Sequence, residues 1–194
     1  NSTSWGHDVE AAKKLLDGAG WVAGSDGVRA KDGTKLELVM TIPSNAPVAT
    51  NEANLLQKQL NEVGIKLSVS TVEIDKYFPE YINKKNYALT AFTTEKTQYP
   101  LANAGQYYAS TSQSNYTGLS VPEVDEYVAK IGSTPDCAER NKLANELDKI
   151  LWENVFNIPI YQRMQLTAVP KTLRNFGAQG LASFRPESIG YVKS

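Results

Sequence analysis

Cysteine and histidine are nearly absent from this sequence, which contains one of each, Cys137 and His7. One cysteine excludes an intrachain disulfide, and the pair cannot supply the nitrogen and sulfur ligands of the common zinc sites. His7 precedes the first predicted helix and is poorly placed to be the base of a catalytic triad. Cys137 opens a predicted helix, whose dipole could activate a thiol, but with no histidine nearby we interpret it as structural. We therefore expect no catalytic residue, no metal site and no cofactor, and hence no enzyme.

An excess of charge, long apolar runs and phosphate-binding motifs are also lacking. The 20 basic and 21 acidic residues leave a net charge of -1, so bulk charge predicts neither a nucleic-acid partner nor a membrane-surface partner. No stretch of about 20 apolar residues could span a bilayer as a helix. Neither a Walker A motif nor GxGxxG occurs. An apolar content of 41% in 194 residues suits one packed domain.

The first half of the chain has the periodicity of alternating strands and helices. Leu36, Leu38, Met40 and Ile42 alternate with more polar residues, as in a strand with one buried face. Strand, helix and strand with short connections form a βαβ unit, which we expect to have parallel strands. The predicted elements are a helix over 9–19 capped by Asp8, strands over 28–30 and 36–42, a helix over 50–63, a strand over 65–72, a helix over 76–84 and a strand over 87–93.

Residues 94–119 interrupt this rhythm with a long polar segment that holds four of the ten tyrosines. Thr93 is the last residue of the predicted strand 87–93, and Thr94, Glu95, Thr97 and Tyr99 follow it closely. Ligands of open α/β sheets bind outside the carboxyl ends of the strands, and long loops in compact domains are often functional. The segment is therefore a candidate binding surface. An ordinary surface loop whose tyrosines pack on the core explains the residues equally well.

The second half is predicted to be mainly helical. Ser120 to Glu123 has the pattern of a capping box with Pro122 in the first turn, and either Thr134 or Asp136 opens the longest helix. Short strands are predicted over 158–161 and 165–169. The apolar faces of the two helices are Val124, Tyr127, Val128 and Ile131 in the first, and Leu143, Leu147, Ile150, Leu151 and Val155 in the second.

Segments along nearly the whole chain resemble a known protein family. They are AAKKLLDGAGW, DGVRAKDGTKLELVM, LNEVGIKLSV, SNYTGLSVPEVDEYV and ILWENVFNIPIYQ, in this order. This succession is similar to the C-terminal lobe of the family 5 extracellular solute-binding proteins, which are peptide-capturing receptors of ABC importers. The stretches at 158–162 and 175–178 resemble the actinobacterial branch most.

The resemblance implies an α/β fold, with a mixed sheet flanked by helices, in one lobe of a class II periplasmic-binding-protein-like clamp. Residues 1–194 would form a single C-terminal lobe, with its core in 1–170 and a tail over 171–194 returning toward the lobe that is missing. We expect such an excised lobe to have little ligand affinity alone.

The resemblance also implies a function. The chain would be the ligand-capturing lobe of a substrate-binding protein for peptides, with another small solute (a nickel chelate or a sugar) or a non-transport sensor or interaction module as alternatives. Its partners would be the cargo, the N-terminal lobe and ABC permease subunits. It would lie at the extracellular face of the membrane or in the periplasm, and it would reach the membrane only through a lipid anchor of the parent protein.

Site residues can be carried over position by position. Glu73, Ile74 and Tyr77 match a stretch that often reaches the ligand cleft in this family. Family members typically follow the next strand with a tryptophan and an acidic residue that binds the peptide ammonium. Thr94 takes the tryptophan position here, and either Glu95 or Thr97 takes the acidic one. Only Glu95 could pair with an amine, so the anchoring mode stays open.

Overall fold

The structure, a computed structural model, describes residues 6–94, 99–164, 166–178, 180 and 183–192. The chain divides into two compact units. The first unit comprises residues 1–93 and 113–118, and the second unit comprises residues 94–112 and 119–194.

A three-stranded parallel sheet forms the centre of the first unit. Strand β4 (Glu37–Pro43) lies between β5 (Lys66–Val72) and β6 (Leu89–Thr90), and its pairing with β5 runs from Glu37 opposite Lys66 to Pro43 opposite Val72. Helix α2 (Pro47–Glu62) connects β4 to β5 and covers one face of the sheet. The parallel βαβ unit is therefore confirmed. Its buried cluster is Met40, Ile42, Ala49, Ala53 and Leu67.

Two sequence predictions after β5 are wrong in detail. The helix expected over 76–84 is a single turn, α3 (Ile74–Lys76), followed by a π-helix over Tyr77–Ile82. The strand expected over 87–93 is only the two residues of β6. Backbone groups on both sides of β6 lie near other partners: the N–H of Asn86 donates to the Tyr81 carbonyl at 2.9 Å, and the Ala91 carbonyl lies 3.1 Å from a tyrosine hydroxyl.

A buried arginine joins the peripheral elements of the first unit. Helix α1 (Val9–Gly18) begins at its predicted cap Asp8, and β1 (Val22–Ala23), β2 (Arg29–Lys31) and β3 (Thr34–Lys35) form a small antiparallel sheet. The side chain of Arg29 is 6% exposed and pairs with the Asp17 carboxylate. It also donates to the carbonyls of Trp21 (2.6 Å) and Val63 (2.8 Å). These contacts tie the ends of α1 and α2 to β2.

The second unit is built on two helices, α5 (Pro122–Ser133) and α6 (Cys137–Glu153). Asp136 caps α6, as one of the two predictions had it, by accepting from the Glu139 N–H at 2.8 Å. The capping box at Ser120 is wrong, because Val121 is the N-cap and makes no side-chain bond there. The predicted apolar faces of the two helices are otherwise correct, except that Val155 is exposed and Phe156 is buried instead. The buried residues of the unit are Ala104, Val124, Ile131, Leu147, Ile150, Leu151 and Phe156.

The polar segment expected to be a loop contains two short helices. A 3-10 helix spans Pro100–Asn103, and α4 spans Ala104–Tyr108. Just after α4, the N–H and the hydroxyl of Ser110 donate to the Asp125 carboxylate at 2.8 and 2.6 Å. Both bonds lower the pKa of Asp125, the one from the hydroxyl more than the one from the N–H. They also attach the segment to the first turn of α5.

The region after α6 departs furthest from expectation. Residues 157–164 form no strand, and Ile158 and Ile160 are exposed. None of the described strands lies beside this segment, and a strand needs such a neighbour for its backbone hydrogen bonds. Gln165, the first residue of the other predicted strand, lies outside the described residues, and 166–169 are not strand either. A short hairpin of β7 (Leu173–Arg174) and β8 (Gly190–Tyr191) follows.

Replacing Gly64 by alanine should destabilise the first unit by about 2 kcal/mol or more. Gly64 has a φ of 85°, and an added Cβ would lie 2.8 Å from Cγ of Arg29. The control is Gly18→Ala at the end of α1, where a Cβ meets nothing within 4 Å and where we expect no change or a gain of up to about 1 kcal/mol. Urea denaturation followed by circular dichroism measures both. Equal stability of the two variants would contradict the role assigned to Gly64.

Candidate functional site

The carboxyl edge of the parallel sheet is where the first unit presents its candidate site. Strand β5 ends at Val72 and leads into Glu73 and Ile74, while β6 leads into Phe92 and Thr93. Both strands run parallel to β4, so their following segments emerge at the same edge. Ligand sites of open α/β sheets lie at this edge.

Tyr77 is buried at this edge rather than presented to solvent. Only 3% of the surface of Tyr77 is exposed. The Thr90 hydroxyl donates to the Thr41 carbonyl at 3.0 Å, so the Tyr77 hydroxyl donates to Thr90 Oγ1 at 2.6 Å, and it lies 3.1 Å from the Ala91 carbonyl oxygen. Burial raises the pKa of Tyr77, partly offset by the bond with Thr90. The hydroxyl is therefore used in joining the π-helix to the sheet.

A row of four aromatic rings begins at Tyr77. We call it the aromatic row, and it consists of Tyr77, Phe78, Phe92 and Tyr116. Successive rings meet edge to face at centroid distances of 5.4, 5.6 and 5.3 Å, a favoured geometry for aromatic pairs. The Tyr87 hydroxyl donates to the Tyr116 carbonyl at 2.6 Å and anchors the far end. Phe78 is 42% exposed and presents part of its ring to solvent.

Phe78 and Phe92 were not predicted from the sequence as site residues. They come from separate elements, so no spacing in the sequence relates them. The available signal was Ala91-Phe92 at the end of a predicted strand, directly before a polar segment.

The π-helix sets the direction of Phe78. Pro79 has no N–H and cannot donate to the carbonyl four residues earlier. The turn widens, and the N–H of Asn83 donates to the carbonyl of Phe78, five residues back, at 2.9 Å. Such wide turns occur frequently at functional sites.

Glu73 and Ile74 provide the exposed part of this edge. The carboxylate of Glu73 lies 2.8 Å from the ammonium of Lys76, and both side chains are largely exposed. Hydrogen bonding to Glu73 raises the pKa of Lys76. Ile74 is 55% exposed and lies next to this ion pair in the chain. The edge therefore combines an apolar contact surface with the carboxylate of Glu73, whose ion pair with Lys76 is weak because both side chains are exposed to solvent.

The other predicted site residues fall in different places. Thr93 is exposed and belongs to the first unit with Glu73, Ile74 and Tyr77. Thr94 and Tyr99 are also exposed and belong to the second unit. Glu95 and Thr97 lie outside the described residues, so the alternative between them remains a prediction.

The described part of the chain holds neither a metal-binding cluster nor a membrane-spanning helix. Residues 6–94, 99–164 and the described parts of the tail contain no group of three or more His, Cys, Asp or Glu side chains able to hold a metal ion. No helix in those ranges has the length and apolar character to cross a membrane.

Comparison with known proteins identifies the family. Residues 1–120 match the model of the bacterial extracellular solute-binding proteins, family 5, middle region. That match covers more than half of the chain, so the chain belongs to the family 5 bacterial extracellular solute-binding proteins.

A curated relative matches along the entire chain. The oligopeptide-binding protein OppA of Mycobacterium tuberculosis is 30% identical over 193 residues, covering 100% of this chain and 32% of OppA. The OppA protein of Mycobacterium bovis matches to the same extent. The chain thus spans about a third of the length of the curated relatives it matches.

Solved structures confirm the expected α/β fold. The oligopeptide-binding protein AppA of Bacillus subtilis, in complex with a nonapeptide, has a TM-score of 0.69 at 19% identity, over 96% of this chain and 38% of AppA. NikA of Brucella suis, in complex with Fe(III)-EDTA, has a TM-score of 0.66 at 21% identity, over 80% of this chain and 33% of NikA. Identities this low support the fold alone.

Replacing Tyr77 by phenylalanine should lower the free energy of unfolding by about 1 kcal/mol, because the hydrogen bond to Thr90 is lost while the ring stays. The matched control is Tyr81→Phe in the same π-helix, whose hydroxyl makes no hydrogen bond to the described residues and whose loss we expect to be neutral. Urea denaturation compares the two. A neutral Tyr77 variant would show that the bond to Thr90 does not stabilise the edge.

Proposed function

We propose that this chain is the ligand-capturing lobe of an ABC importer's substrate-binding protein, with peptides as the cargo. The alignment of the whole chain with an oligopeptide-binding protein carries the proposal. Membership in a solute-binding family supports it further. The chain acts by binding and not by catalysis.

The proposed contact surface is the carboxyl edge of the parallel sheet. Ile74 and Phe78 offer apolar area there, and exposed apolar residues at such an edge favour contact with cargo side chains. Glu73 offers a carboxylate for the peptide ammonium, in competition with Lys76. Buried Tyr77 supports this surface from below and does not touch the cargo.

The segment that follows β6 supplies further residues that we propose to contact the cargo. Hydroxyls of Thr93, Thr94 and Tyr99 would bond to the peptide backbone, which every peptide offers in the same way. Glu95 or Thr97 would occupy the position of the amine anchor. Backbone recognition of this kind favours loose selectivity among side chains.

The same proposal covers the rest of the transport system. Residues 1–194 serve as the C-terminal lobe of a longer two-lobed protein, in which the tail over 171–194 returns toward the N-terminal lobe. The cargo is enclosed between the lobes and is delivered to ABC permease subunits. The parent protein acts at the extracellular face of the membrane or in the periplasm, held by a lipid anchor.

Native mass spectrometry of the full-length parent protein, purified without unfolding, tests the cargo. We expect extra mass that is released as peptides on denaturation, since peptides held between closed lobes survive purification. An apo mass that stays unchanged after a peptide library is added would contradict the peptide assignment. Extra mass from a chelate or a sugar would instead identify another solute, and no cargo at all would favour a sensor or interaction module.

The contact surface can be tested separately by Ile74→Asp in the full-length protein. A charge at this exposed position should weaken binding of the released peptide at least about tenfold, because an apolar contact is replaced by a carboxylate that must be desolvated. The control is Leu55→Asp on α2, since Leu55 and Ile74 are 58% and 55% exposed. Isothermal titration calorimetry measures both. Equal affinities for the two variants would remove Ile74 from the proposed surface.

A further inference from the structure

The second unit has a small hollow, partly open to solvent, that the proposed function does not use. It has a volume of about 180 Å³ and lies among the 3-10 helix Pro100–Asn103, α4, α5 and α6. Its principal lining residues are Ile131, Leu147, Leu151, Tyr107, Tyr108 and Asp148. All of them belong to the second unit.

The floor of the hollow is part of the core. Ile131, Leu147 and Leu151 are buried members of the cluster between α5 and α6. Packed core side chains keep their rotamers, so the floor has a fixed shape. Core side chains therefore define the floor of the hollow.

Two tyrosine rings form its aromatic wall. The rings of Tyr107 and Tyr108 lie 6.4 Å apart and are tilted by 58°. Tyr108 also meets Phe156 edge to face at 6.2 Å, which holds it against the core. Aromatic rings attract cations that lie over their faces, where the electrostatic potential is negative.

Asp148 gives the hollow a negative charge. It is half-buried on α6 and forms no ion pair with any residue in the described ranges. Its neighbour Lys149 pairs instead with Glu146 at 2.8 Å. The charge of Asp148 also affects Tyr108 in the wall of the hollow. The pKa of Tyr108 is raised mainly by burial, is lowered by a hydrogen bond to Asn157, and is raised further by the negative charge of Asp148.

An apolar floor, aromatic walls and one carboxylate together select a small organic cation. An anion would be repelled by Asp148, and a neutral apolar group would leave that carboxylate unpaired. A cavity of about 150 Å³ is large enough to hold benzene. A hollow of about 180 Å³ therefore has room for a four-carbon chain with its ammonium group.

We propose that this hollow binds a primary alkylammonium group, with the alkyl chain on the floor of Ile131, Leu147 and Leu151 and the nitrogen at Asp148. The group has two possible sources, a lysine side chain of a peptide cargo or a free amine. The assignment of this site does not rest on the cargo proposed above, because its lining and its charge do not involve the carboxyl edge of the sheet.

The test uses the full-length protein and n-butylammonium chloride, with affinity measured by saturation-transfer-difference NMR. We expect a dissociation constant on the order of 1 mM. Asp148→Asn should weaken binding about tenfold or more. Glu146→Gln removes the same charge from the same helix outside the lining and should leave the affinity within about twofold. Equal affinity of wild type and Asp148→Asn, or no binding to folded wild type, would overturn the proposal.

A second variant tests the volume without changing the charge. Ala144 lines the hollow, and Ala144→Leu should fill it and abolish butylammonium binding. Thermal unfolding establishes that this variant is folded. Unchanged binding by folded Ala144→Leu would place the amine elsewhere and overturn the proposal.

Two peptides that differ only by lysine or norleucine at one position separate the sources. A preference for lysine that Asp148→Asn removes identifies the cargo side chain as the occupant. Butylammonium binding without any lysine preference identifies a free amine. Because butylammonium is tested directly, the absence of peptides from the native mass spectrum would reject the cargo assignment and leave this site standing.

Discussion

A short chain of hydrogen bonds holds the carboxyl edge of the parallel sheet together. It runs from the hydroxyl of Tyr77 through the hydroxyl of Thr90 to the carbonyl of Thr41. Strand β6 pairs with β4 at only two positions, so these side-chain bonds supply what a longer ladder would have supplied. Each contributes about 1 kcal/mol net, but together they fix the π-helix. The direction of Phe78, and with it the exposed surface proposed for cargo, depends on that attachment.

A second set of stabilising contacts in the first unit, around Arg29 and Gly64, lies away from this edge. Arg29 satisfies backbone carbonyls at the ends of α1 and α2, and Gly64 accommodates it by having no side chain. The hydrogen bonds of a buried guanidinium are costly to break, because the charge would then remain buried without partners. Rigid connections at one end leave the loops at the other end free to carry binding residues, which is the usual division in α/β folds.

The reliability of the sequence predictions followed the strength of the local signal. Strands β4 and β5 and helix α2 were predicted well because period-two and helical apolar patterns specify buried faces directly. Asp136 was one of two predicted caps because a carboxylate before a helix satisfies its first N–H groups. Strand 87–93 and the strand over 158–161 were wrong, since strand formation needs a neighbour and an apolar run does not say whether one is present.

By itself, the sequence determined the parallel βαβ unit through its apolar periodicity and the class of protein through the resemblance of its segments to a known family, and it predicted the edge at which we propose a site. Only the tertiary structure decided what individual residues do there. Tyr77 and Phe78 are adjacent in the sequence, yet one is buried and the other exposed. Their difference arises because Pro79 opens a π-turn and Thr90 captures one hydroxyl. The turn follows from the residue type of Pro79, but the bond between Tyr77 and Thr90 joins two elements, and residue type and spacing do not encode it.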